Sequence, residues 1–121
     1  MTIQMNFAQD WKPAGSHILT SWGEQVNVEK PHPEYPRPQL VRSNNWQNLN
    51  GLWKYAITPV DAQAIPTQWE GNILVPFAVE SSLSGVGKEV GKDKALWYSN
   101  SITLDKAVQK NKILLHFGAV D

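Results

Sequence analysis

Hydrophobic and polar residues alternate in two short segments near the middle of the chain. In residues 52–57, Trp53, Tyr55 and Ile57 fall on one face, and the residues between them fall on the other. This period of two is typical of a half-buried strand, so we expect these three side chains to lie in the core rather than on a ligand-binding surface. Residues 73–77 repeat the pattern, and Pro76 should end this second strand because it has no backbone donor.

Two later segments complete the strand candidates. They cover residues 96–104, with apolar positions at Leu96, Tyr98, Ile102 and Leu104, and residues 113–117. Between them and the earlier strands, residues 80–94 contain three glycines and are predicted to form a flexible, solvated loop. Because no segment has the pattern of an amphipathic helix, the chain is predicted to be an all-β sandwich rather than an α/β sheet, which needs crossover helices.

Residues 1–45 have no sustained period and are predicted to form an extended N-terminal arm. Prolines at positions 31, 33, 36 and 38 favour a polyproline-like conformation without backbone donors. A free linker is the alternative, but the arm has apolar residues that favour packing along a domain surface: Trp11, Trp22, Tyr35, Leu40 and Val41. Residues 46–121 would then form the first part of a β-sandwich domain.

Length and composition exclude several classes of protein. The chain has 121 residues, enough for one domain, with 11 basic and 11 acidic residues and no cysteine. Its balanced charge gives no broad field that would attract nucleic acid, and its apolar runs are too short to cross a membrane. No export signal is visible, and disulfides and thiolate metal sites are excluded.

No combination of residues predicts a catalytic, metal or cofactor site. His17, His32 and His116 are far apart in sequence, and Ser81, Ser82 and Ser84 lack a nucleophile motif, so these serines should bond the local backbone. The glycines at 85, 87 and 91 do not have dinucleotide-loop spacing. Glu70, Glu80 and Asp93 could supply a glycosidase pair, but a solvated surface or a buried salt bridge explains each carboxylate more simply.

Six tryptophans form an unusually large set for this length. Tryptophan serves equally as core filler or as a platform for the apolar face of a sugar ring. Core packing is the favoured interpretation, because a small β domain needs large side chains inside.

Five segments in order resemble the start of the N-terminal sugar-binding domain of glycoside hydrolase family 2, which includes β-galactosidases and β-glucuronidases. The segments are PEYPRPQLVR (33–42), WQNLNGLWKY (46–55), VPFAVESSLSGV (75–86), ALWY (95–98) and LLHFGAVD (114–121). The resemblance implies a jelly-roll β-sandwich of the galactose-binding-domain type, incomplete in this chain. It also implies that the catalytic glutamates lie on a separate (β/α)8 barrel, so this chain alone is expected to be non-catalytic.

The resemblance also implies one substrate-binding residue. In some β-galactosidases of the family, an asparagine shortly after the Trp-Tyr or Ile-Tyr strand start reaches the sugar, and Asn100 has this place after Trp97 and Tyr98. Many relatives have a basic pair there, so Ser99 and Asn100 depart from the commoner pattern. A solvated strand asparagine is the alternative interpretation.

The expected function is a non-catalytic sugar-binding domain of a retaining family 2 glycosidase, whose carbohydrate substrate is bound together with the barrel. A stand-alone lectin-like module and an inactive truncated product are the alternatives. Family members suggest a periplasmic or secreted location, with the cytoplasm as the alternative. If the chain ends at Asp121, the strand at 113–117 would be left with an open edge and an apolar face, which favours a two-fold homo-oligomer.

Overall fold

The computed structural model describes residues 11–33, 46–104 and 112–118. Within these ranges, three strands form one antiparallel sheet in the order β2-β1-β3: β1 (Gly51–Pro59), β2 (Gly71–Val75) and β3 (Lys94–Ser99). The described helical structure consists of the single turn α1 (Ser21–Glu24) and a 3₁₀ turn at Ser82–Ser84. The predicted β-rich class is therefore confirmed for the described part of the chain.

Strand β1 is the centre of the sheet. It pairs with β2 from Gly51 to Tyr55 and with β3 from Lys54 to Pro59. Both predicted central strands are confirmed, and β2 ends at Val75, directly before Pro76, as the missing backbone donor requires.

The core lies on the face of the sheet that the alternation predicted. Tyr55, Ile73 and Val79 are buried together. Half-buried apolar residues surround them: Trp53, Ile57, Val75, Val86, Val90 and Leu96. The indole N–H of Trp53 donates to the carbonyl of Leu49 over 2.7 Å, so its polar atom is satisfied within the packed position.

The opposite face of the sheet is also partly covered. Ala56 and Leu74 are buried there, at 3% and 0% exposure. Cross-strand partners share a face, so these residues lie on the same side as their partners Trp97 and Leu52. The expectation of a strand buried on one side only is therefore wrong for part of β1.

The segment at 80–94 is only partly the solvated loop that its glycines suggest, because residues 87–89 and 91–94 are exposed but residues 81–86 are packed. Ser84 is fully buried, and Val86 and Val90 pack against the core. The Ser84 hydroxyl donates to the carbonyls of Val79 and Ser81, and it accepts from the backbone N–H groups at 86 and 87. These bonds fold the segment into a compact turn because they satisfy its backbone locally.

The two later strand predictions need correction. Strand β3 ends at Ser99, so Ile102 and Leu104 are not part of it. The Asn100 side chain accepts the N–H of Ser101 at 2.8 Å and thereby competes with a continued ladder. Residues 113–117 form no strand, since they have no ladder partner in the described chain, and their apolar side chains are 46% to 69% exposed.

The described residues of the predicted arm contact the turn that follows β2. The backbone N–H of Ala14 donates to the carbonyl of Ser82, and the Ser82 hydroxyl donates to the carbonyl of Ala14. Trp22 was expected to be an apolar anchor, but it is 80% exposed, because α1 is a single turn that buries only Gly23. The expected anchors Tyr35, Leu40 and Val41 lie outside the described residues.

The polyproline interpretation is wrong for residues 31–33. His32 has a φ of 49°, which is far from the polyproline value, and Pro31 is buried in a bent segment. The Asn50 side chain donates to the carbonyl of Pro31, which links this bend to the residue before β1. Pro36 and Pro38 lie outside the described residues.

Replacing Trp53 by alanine should lower the free energy of unfolding by about 3 kcal/mol, the lower end of the range for large buried aromatics, because Trp53 is only half-buried. Trp22→Ala is the matched control and should change stability by less than about 0.5 kcal/mol, as expected for an exposed site. Urea unfolding followed by circular dichroism measures both. Equal losses for the two variants would contradict the assignment of Trp53 to the core.

Candidate functional site

Asn100, the residue expected to contact sugar, lies directly after β3 on an exposed part of the chain. Its side-chain oxygen is occupied by the N–H of Ser101. Its amide nitrogen makes no hydrogen bond to another described residue. Asn100 can therefore offer two N–H donors to a ligand, but its strongest acceptor is already used.

Tyr98 lies two residues before Asn100 and is 42% exposed. It is the cross-strand partner of Tyr55, so it lies on the core face of the sheet, near its edge. Burial raises the pKa of the Tyr98 hydroxyl, and the negative charge of Glu80 raises this pKa further. Tyr98 therefore stays protonated at neutral pH and can both donate and accept a hydrogen bond.

Glu80 comes from the segment after β2 and is exposed. Its negative charge raises the pKa of Tyr98, which lies 18 positions further along the sequence. We call Glu80, Tyr98 and Asn100 the Tyr98 surface. It combines a carboxylate acceptor, a hydroxyl and an amide donor, which are the groups that recognise several hydroxyls of one sugar.

A second polar cluster lies at the end of the β1–β2 pairing. Glu70 accepts the backbone N–H of Ile57 through one carboxylate oxygen at 2.8 Å and the ammonium of Lys88 through the other at 2.7 Å. Its own backbone N–H donates to the carbonyl of Tyr55. Lys88 in turn lies 5.6 Å from the centre of the Tyr55 ring. We call Glu70 and Lys88 the ladder-end pair, because Glu70 bonds β1 just beyond the end of β2.

The electrostatics of the ladder-end pair follow from these contacts. The hydrogen bond from Lys88 lowers the pKa of the Glu70 carboxyl, and the bond from Ile57 lowers it further. The bond to Glu70 raises the pKa of the Lys88 ammonium, and a hydrogen bond with Tyr55 adds to this effect. Both groups are thus held in their charged forms, so Glu70 is poorly suited to donate a proton as a general acid.

The other residues considered for chemistry are not brought together. His32 lies against Phe77 and His116 against Trp46, with ring centres 5.3 and 5.7 Å apart. The Ser82 and Ser84 hydroxyls donate to backbone carbonyls, and Ser81 accepts the N–H of Leu83, as expected for serines that bond backbone. Residues 11–33, 46–104 and 112–118 contain no group of three histidines or carboxylates that could hold a metal ion.

Glu70 forms a salt bridge, one of the two simpler roles that the sequence suggests for these carboxylates, with one difference. The salt bridge of Glu70 is exposed rather than buried. Neither its bond to Ile57 nor the approach of Glu80 to Tyr98 could be read from the sequence, because both depend on how distant segments fold together. Among the described helices, none has the length and apolar character needed to span a bilayer.

No protein-family model matches this chain, and a search of curated proteins likewise finds no match.

The lowered pKa of Glu70 predicts a specific pH dependence. A carboxyl whose pKa is lower in the folded state stabilises the fold above its unfolded pKa, and this contribution is lost as pH falls through the folded value, which lies below 4.5. The stability difference between the wild type and Glu70→Gln should therefore be largest near neutral pH and shrink at lower pH. We expect at most about 1 kcal/mol, because the pair is exposed. Urea unfolding at pH 7 and pH 3.5 measures it.

Glu70→Ala is the companion variant. Glutamine keeps an acceptor for the N–H of Ile57, whereas alanine removes it, so hydrogen exchange at Ile57 should rise in the alanine variant only. A difference between wild type and Glu70→Gln that is independent of pH would show that the charge of Glu70 does not act on stability.

Proposed function

We propose that this chain is a non-catalytic sugar-binding domain of a family 2 glycosidase, similar to those of β-galactosidases and β-glucuronidases. The observation that carries the proposal is the order of the five resembling segments between residues 33 and 121. Three of them include strands of one sheet: 46–55 enters β1, 75–86 begins at the last residue of β2, and 95–98 lies inside β3. One motif could recur by chance in many β domains, but this order is far more specific.

A jelly-roll sandwich is the fold we propose around this sheet. The support is burial on both of its faces: Tyr55 and Ile73 are buried on one, and Ala56 and Leu74 on the other. A sheet that has a single covered face leaves the alternate positions in water. A sheet becomes buried on both faces when a second layer of structure packs against the face that would otherwise be exposed.

The Tyr98 surface is the proposed sugar contact. Asn100 has two free N–H donors within the described chain, an ionised Glu80 can only accept, and Tyr98 can both donate and accept. A ligand that satisfies all three must itself offer donors and acceptors, as the hydroxyls of a sugar do. The charge of Glu80 disfavours anionic ligands at this place, so we propose a neutral glycoside rather than a uronic acid.

Hydrolysis is assigned to groups outside the Tyr98 surface. A retaining glycosidase needs an acid/base carboxyl with a raised pKa and a second carboxylate as nucleophile. The pKa of Glu70 is lowered instead, since Lys88 and Ile57 both bond its ionised form. In the proposed assembly, the glutamates of a separate barrel perform the reaction, and this domain helps to shape the sugar site.

A lectin-like module is the second candidate function. It is favoured by Trp22, whose indole is 80% exposed on α1 and is open for stacking on a sugar ring. The two candidates place the sugar on different residues, and this difference allows a direct test.

The test is an NMR titration of the chain with methyl β-galactoside. We expect amide shift changes centred on Tyr98 and Asn100, and Asn100→Ala should weaken binding about fivefold, the effect of one lost hydrogen bond of about 1 kcal/mol. Asn100→Asp is the matched variant: it keeps an acceptor for Ser101 but loses both amide donors, so it should bind as weakly as the alanine variant. Shift changes centred on Trp22, abolished by Trp22→Ala, would favour the lectin-like function instead.

Methyl β-glucuronide should bind more weakly than methyl β-galactoside, because its carboxylate adds a negative charge near Glu80. Glu80→Gln removes this repulsion and should narrow the difference between the two ligands, and lowering the ionic strength should widen it in the wild type. Equal affinity for the two glycosides in the wild type would contradict the proposed role of Glu80.

The isolated chain should hydrolyse no aryl β-galactoside or β-glucuronide above background. The reason is that no pair of carboxylates with glycosidase spacing is recognisable in the sequence, and the pKa of Glu70 is lowered rather than raised. Release of nitrophenol from chromogenic glycosides measures the rate. Turnover that disappears in Glu80→Gln would overturn the non-catalytic assignment.

A further inference from the structure

The turn at residues 82–87 is shaped around a segment that precedes it by about seventy positions in the chain. Gly85 has a φ of +81°, and a Cβ at this position would lie 2.8 Å from Nε1 of Trp11. Gly87 has a φ of +61°, and a Cβ there would lie 2.9 Å from the Cβ of Ala14. Real Cβ atoms do not approach so closely, so both glycines are needed for residues 11–14 to lie where they do.

Hydrogen bonds hold the same two segments in register. The N–H of Ala14 donates to the carbonyl of Ser82 at 2.8 Å, and the Ser82 hydroxyl returns a bond to the carbonyl of Ala14. Ala14 and Ser82 thus each donate one hydrogen bond to the other and accept one in return. Nε1 of Trp11 is buried without a hydrogen-bond partner in the described chain, so the indole is held by packing.

The turn transmits this contact to Glu80. The Ser84 hydroxyl bonds the carbonyls of Val79 and Ser81, which flank Glu80, and the N–H of Ser81 donates to the carbonyl of Ala78. Glu80 therefore lies inside a hydrogen-bonded unit whose far side contacts residues 11–14. We therefore expect a displacement of residues 82–87 to move Glu80 as well.

We propose that residues 11–14 are a strap that occupies the 82–87 turn as an intramolecular ligand, and that this contact sets the position of Glu80. The strap precedes the part of the chain that resembles family 2 sugar-binding domains, so this role goes beyond the proposed function. The strap acts as a conformational device, because its contact with the turn determines where Glu80 lies in the Tyr98 surface. This holds whether or not that surface binds sugar.

A double-mutant cycle tests the strap contact. Gly87→Ala strains the backbone by itself, because φ is positive, so its effect is compared in two backgrounds. Among the described residues other than the chain neighbours of Gly87, the Cβ of Ala14 is the only atom within 4 Å of the new methyl group, and Ala14→Gly removes it. Hydrogen exchange of the residue 14 amide should rise roughly tenfold with Gly87→Ala when residue 14 is alanine, as for the loss of one hydrogen bond, and change much less when residue 14 is glycine.

Gly91→Ala is the control for the cycle, because no described residue beyond its chain neighbours lies within 4 Å of a Cβ at this position. It should leave the exchange of the residue 14 amide unchanged. An equal effect of Gly87→Ala in both backgrounds would show that backbone strain, and not the strap, is responsible, and would overturn the proposal.

The second part of the proposal, that the strap sets the position of Glu80, is tested with Trp11→Ala. This test does not depend on whether the glycine variants fold. The amide shifts of Glu80 and Tyr98 should change in this variant and stay constant in Trp22→Ala, where an exposed indole is lost. Tyr98 should also ionise at lower pH in Trp11→Ala, because the negative charge of a displaced Glu80 raises the pKa of the Tyr98 hydroxyl less. Unchanged shifts at Glu80 and Tyr98 would mean that the strap does not set the geometry of this surface.

Discussion

The staggered pairing of β1 is the constraint on which the rest of the described structure depends. Its first half pairs with β2 and its second half with β3, so that, within the described residues, only Lys54 and Tyr55 have a strand partner on both edges. A backbone N–H left without a partner at a covered position is costly, so each half of β1 needs another group to complete it. The Glu70 carboxylate does this for Ile57 on the side where β2 has ended.

This stagger also explains why the segment after β2 belongs to the core. Once Glu70 is held against β1, its second oxygen binds Lys88, and the backbone N–H of Lys88 bonds the carbonyl of Val79. Val79 is buried with Tyr55 and Ile73, so the ion pair and the apolar cluster fasten the same segment to the sheet. The exposed pair contributes little energy by itself, so the burial of Val79 accounts for most of the stability of this attachment.

The sequence predicts the parts of this fold that depend on local pattern. Alternation located β1, β2 and the burial of Tyr55, and the position of Pro76 located the end of β2. The sequence pattern did not reveal the compact turn around Ser84, because one hydroxyl with four backbone partners leaves no periodic signal. Composition alone makes a glycine-rich segment look solvated, whereas here Gly85 and Gly87 are required by the close approach of Trp11 and Ala14.

The candidate site was less predictable than the fold, and Asn100 illustrates why. Resemblance pointed to this residue and to the neighbouring Trp97 and Tyr98, but only the structure shows that the charge of Glu80, from the segment after β2, acts on Tyr98. The side chain of Asn100 also has two roles, since its oxygen helps to end β3 by capturing the N–H of Ser101. The amide oxygen serves the fold with one of its two lone pairs, whereas both N–H donors of the side chain remain for recognition. A ligand of the Tyr98 surface therefore gains most from Asn100 when it brings an acceptor.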